Sequence, residues 1–341
     1  VKLSGSINML ARANICSRYA ERIMIDVGEF SAATFTELFD GVKSLPWEDY
    51  IGKYDAFPVN GRSIDSALFS IPDCQSIVKK AIVERLKQKY HISHFEETGA
   101  EYRVRFFIYK NVASLMIDTS GEGLHKRGYR RKSNDAPLKE TLGAAMCDLA
   151  RIYPDTLMFD PFCGSGTLLI EAALKATNTA PGLRRFFSAE RFGFIPDSIW
   201  REERMRAQDL IVHNIEFRAQ GFDTDPNAVA LTNENAEKAG MKKYVKAAVG
   251  DVRDFTVPDE RCLVITNPPY GERLLDVKAA EELYAVMGQR FKEGCGRKYY
   301  IISPHDEFER FFGRGEADKR RKLYNGMIKC QLFMYFKNRE R

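Results

Sequence analysis

The chain has 341 residues, of which 44% are hydrophobic and 29% charged, which is enough to bury a core and favours two domains over one. No apolar run reaches the roughly 18 residues that a membrane span needs, and the N-terminus lacks the pattern of a secretory signal peptide. Seven cysteines without a CxxC pair argue against a disulfide framework and a zinc ribbon. We therefore expect a cytoplasmic globular protein with no membrane partner.

The net charge of +5 permits a polyanionic partner without requiring one. Basic residues cluster at 125–132 and again at 319–322, and a solvated surface is the alternative explanation for both clusters. The first cluster also carries an aromatic residue that could stack on a base. Within it we expect four residues to contact RNA: Lys126, Arg127, Tyr129 and Arg130.

The N-terminal part has the pattern of a small α+β domain. Asp73 can cap a helix in which apolar residues recur at helical spacing from Ile77 to Leu86. Two strand-like runs follow, 102–109 and 112–118, and their short connection predicts a hairpin. The basic cluster at 125–132 then marks a domain boundary.

The rest of the chain has the pattern of a doubly wound α/β domain. Strand-like segments alternate with helical stretches, which predicts a parallel sheet; they lie at 156–160, 217–223, 245–251, 263–267 and 298–303. The run 328–336 follows 323–325 through a turn at Gly326, so we expect a terminal hairpin and an antiparallel last strand.

A glycine-rich turn after the first of these strands is a candidate ligand loop. Gly164 and Gly166 let the backbone approach a ligand, and the helix that follows offers free amides. The loop lacks both GxGxxG and the P-loop lysine, which disfavours dinucleotide and ATP binding. A tight turn of this kind is also common without a ligand, so the loop alone does not decide.

Acidic residues end the next two strands of the predicted sheet. Asp223 is placed to accept hydrogen bonds from a ribose diol, whereas Asp225, followed by proline, has the pattern of a helix cap. Asp251 could accept from an adenine amino group or could be an ordinary turn residue.

The most specific signal is that the buried strand predicted at 263–267 runs directly into Asn267-Pro268-Pro269-Tyr270. Two prolines make the turn rigid. An exocyclic base amine is a poor nucleophile, so an enzyme must hold it in line with the methyl donor. The Asn267 oxygen and the Pro268 carbonyl could accept its hydrogens while Tyr270 stacks on the base, a chemistry that needs neither a metal nor a nucleophilic side chain.

Together the segments 160–167 and 267–274 resemble the motifs of bacterial RNA guanine-N2 methyltransferases that carry a THUMP RNA-binding domain. Segments 123–130 and 136–142 are similar to the end of that THUMP domain and to the helix leading into its methyltransferase domain. The resemblance covers nearly the whole chain, and is strongest to enzymes that make N2-methylguanosine in large-subunit ribosomal RNA.

The resemblance implies a class I (Rossmann-like) α/β methyltransferase fold, with a seven-stranded sheet and an antiparallel last strand, after an α+β RNA-binding region. The implied domains are the remainder of a ferredoxin-like subdomain at 1–55, a THUMP domain at 56–132 and the methyltransferase domain at 133–341. The family usually begins with that whole subdomain, whereas this chain opens at Val1 without methionine, so we expect it to start inside the subdomain.

The resemblance also implies S-adenosylmethionine as cofactor, no metal, and 23S ribosomal RNA or a large-subunit assembly intermediate as partner, with no obligate protein partner. The implied catalytic residues are Asn267, Pro268, Pro269 and Tyr270. The implied cofactor contacts are Pro137, Lys139, Glu140, Thr141, Asp160, Pro161, Phe162, Cys163, Gly164, Ser165, Gly166, Thr167, Asp223, Asp251, Val252 and Asn267.

Four other functions stay open. A transfer RNA guanine-N2 methyltransferase is the nearest, because relatives of similar design act there. The N-terminal half argues against a DNA adenine-N6 methyltransferase and a protein glutamine methyltransferase, which use a similar Asn/Asp-Pro-Pro-Tyr motif. The intact Asn267 and Tyr270 argue against an inactive RNA-binding assembly factor.

Overall fold

The structure, a computed structural model, describes residues 1–130, 138–270 and 277–337. The helices are α1 Ile7–Cys16, α2 Phe35–Ser44, α3 Ile71–Tyr90, α4 Glu140–Leu149, α5 Thr167–Ala176, α6 Asp197–Asp209, α7 Pro226–Lys238, α8 Val277–Arg290 and α9 Phe308–Phe312. The strands are β1 Met24–Ser31, β2 Val59–Ile64, β3 Val104–Tyr109, β4 Val112–Asp118, β5 Leu157–Asp160, β6 Arg218–Asp223, β7 Val245–Val249, β8 Leu263–Thr266, β9 Lys298–Ser303, β10 Lys319–Asn325 and β11 Ile328–Tyr335.

The chain folds as two compact units. The first comprises residues 1–124 together with 185–206, and the second comprises 125–184 and 207–341. Arg185 secures the returning segment within the first unit, because its guanidinium donates to the carbonyls of Gly123 at 2.7 Å and Glu122 at 2.8 Å. No helix within the described ranges is long and apolar enough to cross a bilayer.

The first unit is built on a four-stranded sheet in the order β1-β4-β3-β2, with β2 parallel to β3 and the other pairs antiparallel. The predicted hairpin is confirmed as β3–β4, and it turns through Lys110 and Asn111, both with positive φ. The predicted cap was wrong. Helix α3 begins at Ile71 after Ser70, because Pro72 already fits the first turn, so Asp73 lies inside that turn.

The second unit is built on a seven-stranded sheet in the order β10-β11-β9-β8-β5-β6-β7. Strands β9, β8, β5, β6 and β7 are parallel, whereas β10 and β11 form the predicted terminal hairpin, and β11 runs antiparallel to β9. This confirms the predicted fold class. One buried apolar cluster includes Leu169 of α5, and the other includes Met287 of α8.

The carboxyl ends of the parallel strands meet at one edge of this sheet. Asp160 ends β5, Asp223 ends β6 and Thr266 ends β8, with β5 lying between β6 and β8. Ligands of doubly wound folds bind at this edge, because the loops that leave the strands converge there. The topology therefore brings the predicted cofactor loop next to Asn267.

Candidate active site

The loop after β5 makes close turns that only glycine adopts without strain. Gly164 has φ +54° and Gly166 has φ +81°. A Cβ on Gly166 would lie 2.8 Å from a methyl of Thr232, so the loop packs tightly against α7 there. A Cβ on Gly164 would meet nothing within 4 Å, so the loop faces open space at that residue. Gly164 is therefore where a ligand can approach the backbone.

Asp160 ties this loop to strand β8. Its carboxylate is buried and accepts hydrogen bonds from the Thr266 hydroxyl at 2.7 Å and from the Phe162 amide at 3.1 Å. Burial raises the pKa of Asp160 to about 7, although the two hydrogen bonds favour the ionised form. The nearby Asp223 carboxylate adds to the rise in the pKa. Asp160 thus fixes the start of the loop relative to Thr266, the residue before Asn267.

The strand-end acids take up different positions. The Asp223 carboxylate accepts from the amides of Gly164 and Asp225, each at 3.0 Å, which places it against the glycine loop. The Asp225 side chain accepts from the Asn227 amide at 2.9 Å and caps α7, as predicted. Asp251 accepts from the Arg253 amide at 2.8 Å and pairs with the Arg253 guanidinium. Asp223 is therefore the acid that lines the loop.

Residues 267–270 form a braced turn at the end of β8. The Tyr270 hydroxyl donates to Oδ1 of Asn267, so the tyrosine holds the asparagine in place. Burial raises the pKa of Tyr270 well above its ordinary value, so this donor stays protonated into the alkaline range. The Tyr284 hydroxyl of α8 donates to the Pro269 carbonyl at 3.3 Å, and Pro268 is buried. The turn is held from both sides.

Two residues of this bracing were missed from the sequence. Thr266 is the only hydroxyl residue in the apolar strand Leu263–Thr266, and that isolated hydroxyl was the available signal. Tyr284 lies on α8, where a buried tyrosine has the pattern of an ordinary core residue. Nothing in the local pattern shows that its hydroxyl reaches back to Pro269.

The basic cluster is mostly interior, so the predicted RNA contacts of Arg127, Tyr129 and Arg130 do not fit this structure. Arg127 is 3% exposed and Tyr129 is 4% exposed, and both contact Oε1 of Glu171 on α5, at 3.3 Å and 3.2 Å. A buried carboxylate needs a cation and hydrogen-bond donors, which these two side chains supply. Lys126 is exposed. Of the four predicted RNA contacts, only Lys126 keeps that assignment.

Arg130 supports the glycine loop through the start of α5. Its guanidinium, nearly buried, donates to the Thr167 hydroxyl, the Leu138 carbonyl and the Glu140 carboxylate, each at 3.0 Å. Burial raises the pKa of Glu140 to about 7 against the opposing effect of Arg130. The arginine therefore joins the start of α4 to the start of α5.

The remaining predicted cofactor contacts lie around this core. Lys139 precedes α4 and is exposed, whereas the Thr141 side chain is half-buried. The Val252 side chain lies in the buried apolar cluster with Phe159. Pro137 lies outside the described residues. Pro161, Cys163 and Ser165 are buried in the loop, and Phe162 is half-buried.

Comparison with known proteins identifies the family. The family model described as "RMKL-like, methyltransferase domain" matches residues 127–333, and the THUMP domain model matches residues 32–118. The chain belongs to this methyltransferase family. It is 42% identical to "Putative RNA methyltransferase YpsC" of Bacillus subtilis (strain 168), covering 98% of this chain and 88% of that protein.

Two further relatives of the methyltransferase extend the comparison. It is 32% identical to "Ribosomal RNA large subunit methyltransferase K/L" of Cellvibrio japonicus (strain Ueda107), over 98% of this chain but only 46% of that protein, so it spans about half of that relative. The crystal structure of SMU.472, complexed with SAH, matches with a TM-score of 0.92 and 40% identity over 99% of this chain and 89% of that one.

The chain's own residues fit S-adenosylmethionine. The backbone at Gly164 is open to a ligand, and the start of α5 lies beside it. Each Asp223 oxygen already accepts one backbone amide and has a second lone pair that a ribose hydroxyl can use. When bound, this cofactor supplies an electrophilic methyl group on a sulfonium.

The raised pKa of Asp160 gives a testable dependence of stability on pH. Between the ordinary pKa near 4 and the folded pKa of about 7, the folded state binds more protons than the unfolded chain, so this group's contribution to stability is lost as the pH rises. We expect the Asp160→Asn variant to gain stability relative to the wild type as the pH rises from about 5 to about 8. Urea unfolding of both proteins across that pH range measures the difference in their free energies of unfolding. A difference that stays constant with pH would contradict the prediction.

The burial of Arg127 gives a second prediction. Arg127→Ala leaves the Glu171 carboxylate without this buried cation, and we expect the free energy of unfolding to fall by about 3–5 kcal/mol. Lys126→Ala, one residue away and exposed, is the matched control and should cost less than about 1 kcal/mol. Denaturant unfolding of both variants measures the difference. Equal losses would show that the guanidinium is not a structural group.

Proposed function

We propose that this chain is an S-adenosylmethionine-dependent RNA methyltransferase that methylates the exocyclic N2 amine of a guanine in 23S ribosomal RNA. The observation that carries the proposal is the position of Asn267–Tyr270, braced at the end of β8 and tied through Thr266 to the cofactor loop at Asp160. With this arrangement, acceptors for an amine would lie beside the loop that would hold the methyl donor.

Asn267 and Pro268 would orient the target amine. The side-chain oxygen of Asn267 has two lone pairs, so it can accept an amine hydrogen while still accepting from Tyr270. The Pro268 carbonyl would accept the second hydrogen. Displacement of both hydrogens from the ring plane favours a pyramidal nitrogen whose lone pair points at the methyl group. The ring of Tyr270 would stack on the base and hold it in that orientation.

The cofactor would lie along the strand ends that flank this turn. Asp223 would accept from the ribose hydroxyls, Asp251 from the adenine amine, and the backbone of 160–167 would line the methionine part with Asn267 beside it. Lys139, Glu140 and Thr141 would support that part from the start of α4. Glu140 is paired with Arg130, so its role is to position the loop.

An RNA substrate is supported by the match to the THUMP domain model and by the names of YpsC and of the K/L methyltransferase. Guanine N2 and 23S RNA rest on the motifs shared with RNA guanine-N2 methyltransferases. The substrate is tested by transfer of a tritiated methyl group to unmodified 23S RNA, transfer RNA and DNA, followed by nucleoside analysis. Labelled N2-methylguanosine from 23S RNA supports the proposal, and label in DNA alone overturns it.

Asn267 provides the sharpest test of the reaction site. Asn267→Ala removes an acceptor for the target and leaves the cofactor loop intact, so we expect transfer to fall by roughly a hundredfold or more. The dissociation constant for S-adenosylhomocysteine, measured by calorimetry, should change by less than about threefold. Asn267→Asp keeps an acceptor oxygen and is the matched control.

We expect Asn267→Asp to retain more transfer activity than Asn267→Ala, since an acceptor oxygen remains at the same position. If the two variants lose the same activity, the acceptor role is wrong. If the alanine variant loses cofactor affinity instead, Asn267 belongs to cofactor binding and not to target orientation.

A further inference from the structure

The terminal hairpin extends past its neighbour in the sheet. The last pair between β11 and β9 is Gln331 with Ser303, where β9 ends. Residues 323–325 and 328–330 therefore pair only with each other. Strand β8 runs parallel to β9 and leads directly into Asn267, so both strands end at the same edge of the sheet. The free end of the hairpin projects from this edge.

The projecting end of the hairpin adjoins the reaction site. The Asn325 side chain lowers the pKa of Tyr270 and the Cys330 side chain raises it, so both lie near the Tyr270 hydroxyl. Leu323 and Ile328 pack against the same buried cluster as Tyr270. The hairpin is thus anchored beside the residue expected to stack on the target base.

The hairpin is strongly basic. Residues 319–330 contain five cations and no acidic residue. Arg320 pairs with Glu309 at 2.5 Å, but no ion pair forms between the other four cations and any residue that the structure describes. Those four are Lys319, Arg321, Lys322 and Lys329, all exposed. A polyanion is the partner that complements such a surface.

The tip presents apolar and aromatic side chains to solvent. Gly326, at φ +65°, and Met327 form a two-residue loop, a tight connection that restricts the tip. Met327 is 97% exposed and Tyr324 is 55% exposed. The ammonium of Lys322 lies 5.4 Å from the centre of the Tyr324 ring. An exposed methionine on a rigid turn has the form of the apolar wedges that proteins insert between bases.

A guanine amine within a helical stack cannot reach a rigid turn such as Asn267–Tyr270, so the base must leave the stack. We infer that the β10–β11 hairpin is the RNA-engaging element of the active site: Met327 enters the stack beside the extracted guanine, Tyr324 stacks on a flanking base, and Lys322 and Lys329 contact the flanking phosphates. This inference rests on the proposed RNA methyltransferase function and names how the substrate is presented to the reaction site.

Met327→Ser tests the wedge. The side chain is exposed, so the substitution leaves the fold and the dissociation constant for S-adenosylhomocysteine unchanged. On a folded, unmodified 23S RNA transcript, we expect kcat/KM for methyl transfer to fall roughly tenfold or more. The reason is that no apolar side chain would then occupy the gap that the extracted guanine leaves between its neighbours. On a short unstructured RNA carrying the same guanosine, the change should stay below about twofold. Met205→Ser, on α6 and 63% exposed, is the matched control.

The outcomes separate this inference from the proposed function. If the wild-type protein labels no RNA, the proposed function fails. If the wild type labels RNA and Met327→Ser matches it on the folded transcript, the wedge is wrong and the proposed function stands. An equal loss on folded and unstructured RNA also overturns the wedge, since extraction from a stack is then not the affected step.

The phosphate contacts are tested separately by salt dependence. Replacing Lys322 and Lys329 with alanine should reduce the slope of log affinity for the transcript against log salt by about 0.7 for each lysine that contacts a phosphate. The matched control replaces Lys243 and Lys246, which are exposed on or just before β7, the outer strand farthest from the hairpin. The match is close because the Lys243 ammonium also lies near an aromatic ring, 5.5 Å from the centre of Tyr244. If the two double variants give the same slope, the hairpin does not contact the RNA backbone.

Discussion

The hydrogen bond between the Thr266 hydroxyl and the buried Asp160 carboxylate is the contact on which the candidate active site depends. It joins the last residues of two adjacent parallel strands, one leading into the cofactor loop and the other into Asn267. A carboxylate in an apolar interior is costly unless it is hydrogen-bonded. The bond therefore fixes the end of β5 relative to the end of β8. Transfer of a methyl group requires that fixed separation, because the reacting atoms must meet in line.

Buried charges support the same loop from the side of α4 and α5. Arg130 joins Thr167 to Glu140, and Arg127 and Tyr129 meet Glu171 one turn further along α5. Such pairs bring little net stability, since desolvation offsets most of their attraction. These pairs instead fix the relative positions of α4 and α5, because a buried charge is stable only where its hydrogen-bond partners are in place. The cofactor loop is thus positioned by polar contacts and not by apolar packing alone.

The sheet topology explains why the candidate site residues share one edge. Parallel strands all deliver their loops to that edge, which places Asp223, the glycine loop and the Asn267 turn together. The antiparallel hairpin β10–β11 adds a second kind of element, because its turn reaches the same edge from the opposite strand direction. The end of this hairpin and the 267–270 turn therefore lie at the same edge of the sheet.

The sequence by itself determined the fold class, the terminal hairpin, the Asp225 cap and the candidate motifs, because alternating apolar segments, tight turns and Asn-Pro-Pro-Tyr are local patterns. It did not reveal that the basic cluster is mostly buried. Arg127 has the local pattern of a surface cation, whereas in the fold it pairs with the buried Glu171. Nor could it show that the Tyr284 hydroxyl reaches Pro269, or that Leu323 and Ile328 of the hairpin pack against the same buried cluster as Tyr270. Those contacts join residues distant in the chain, and only the packing of helices and the register of strands bring such residues together.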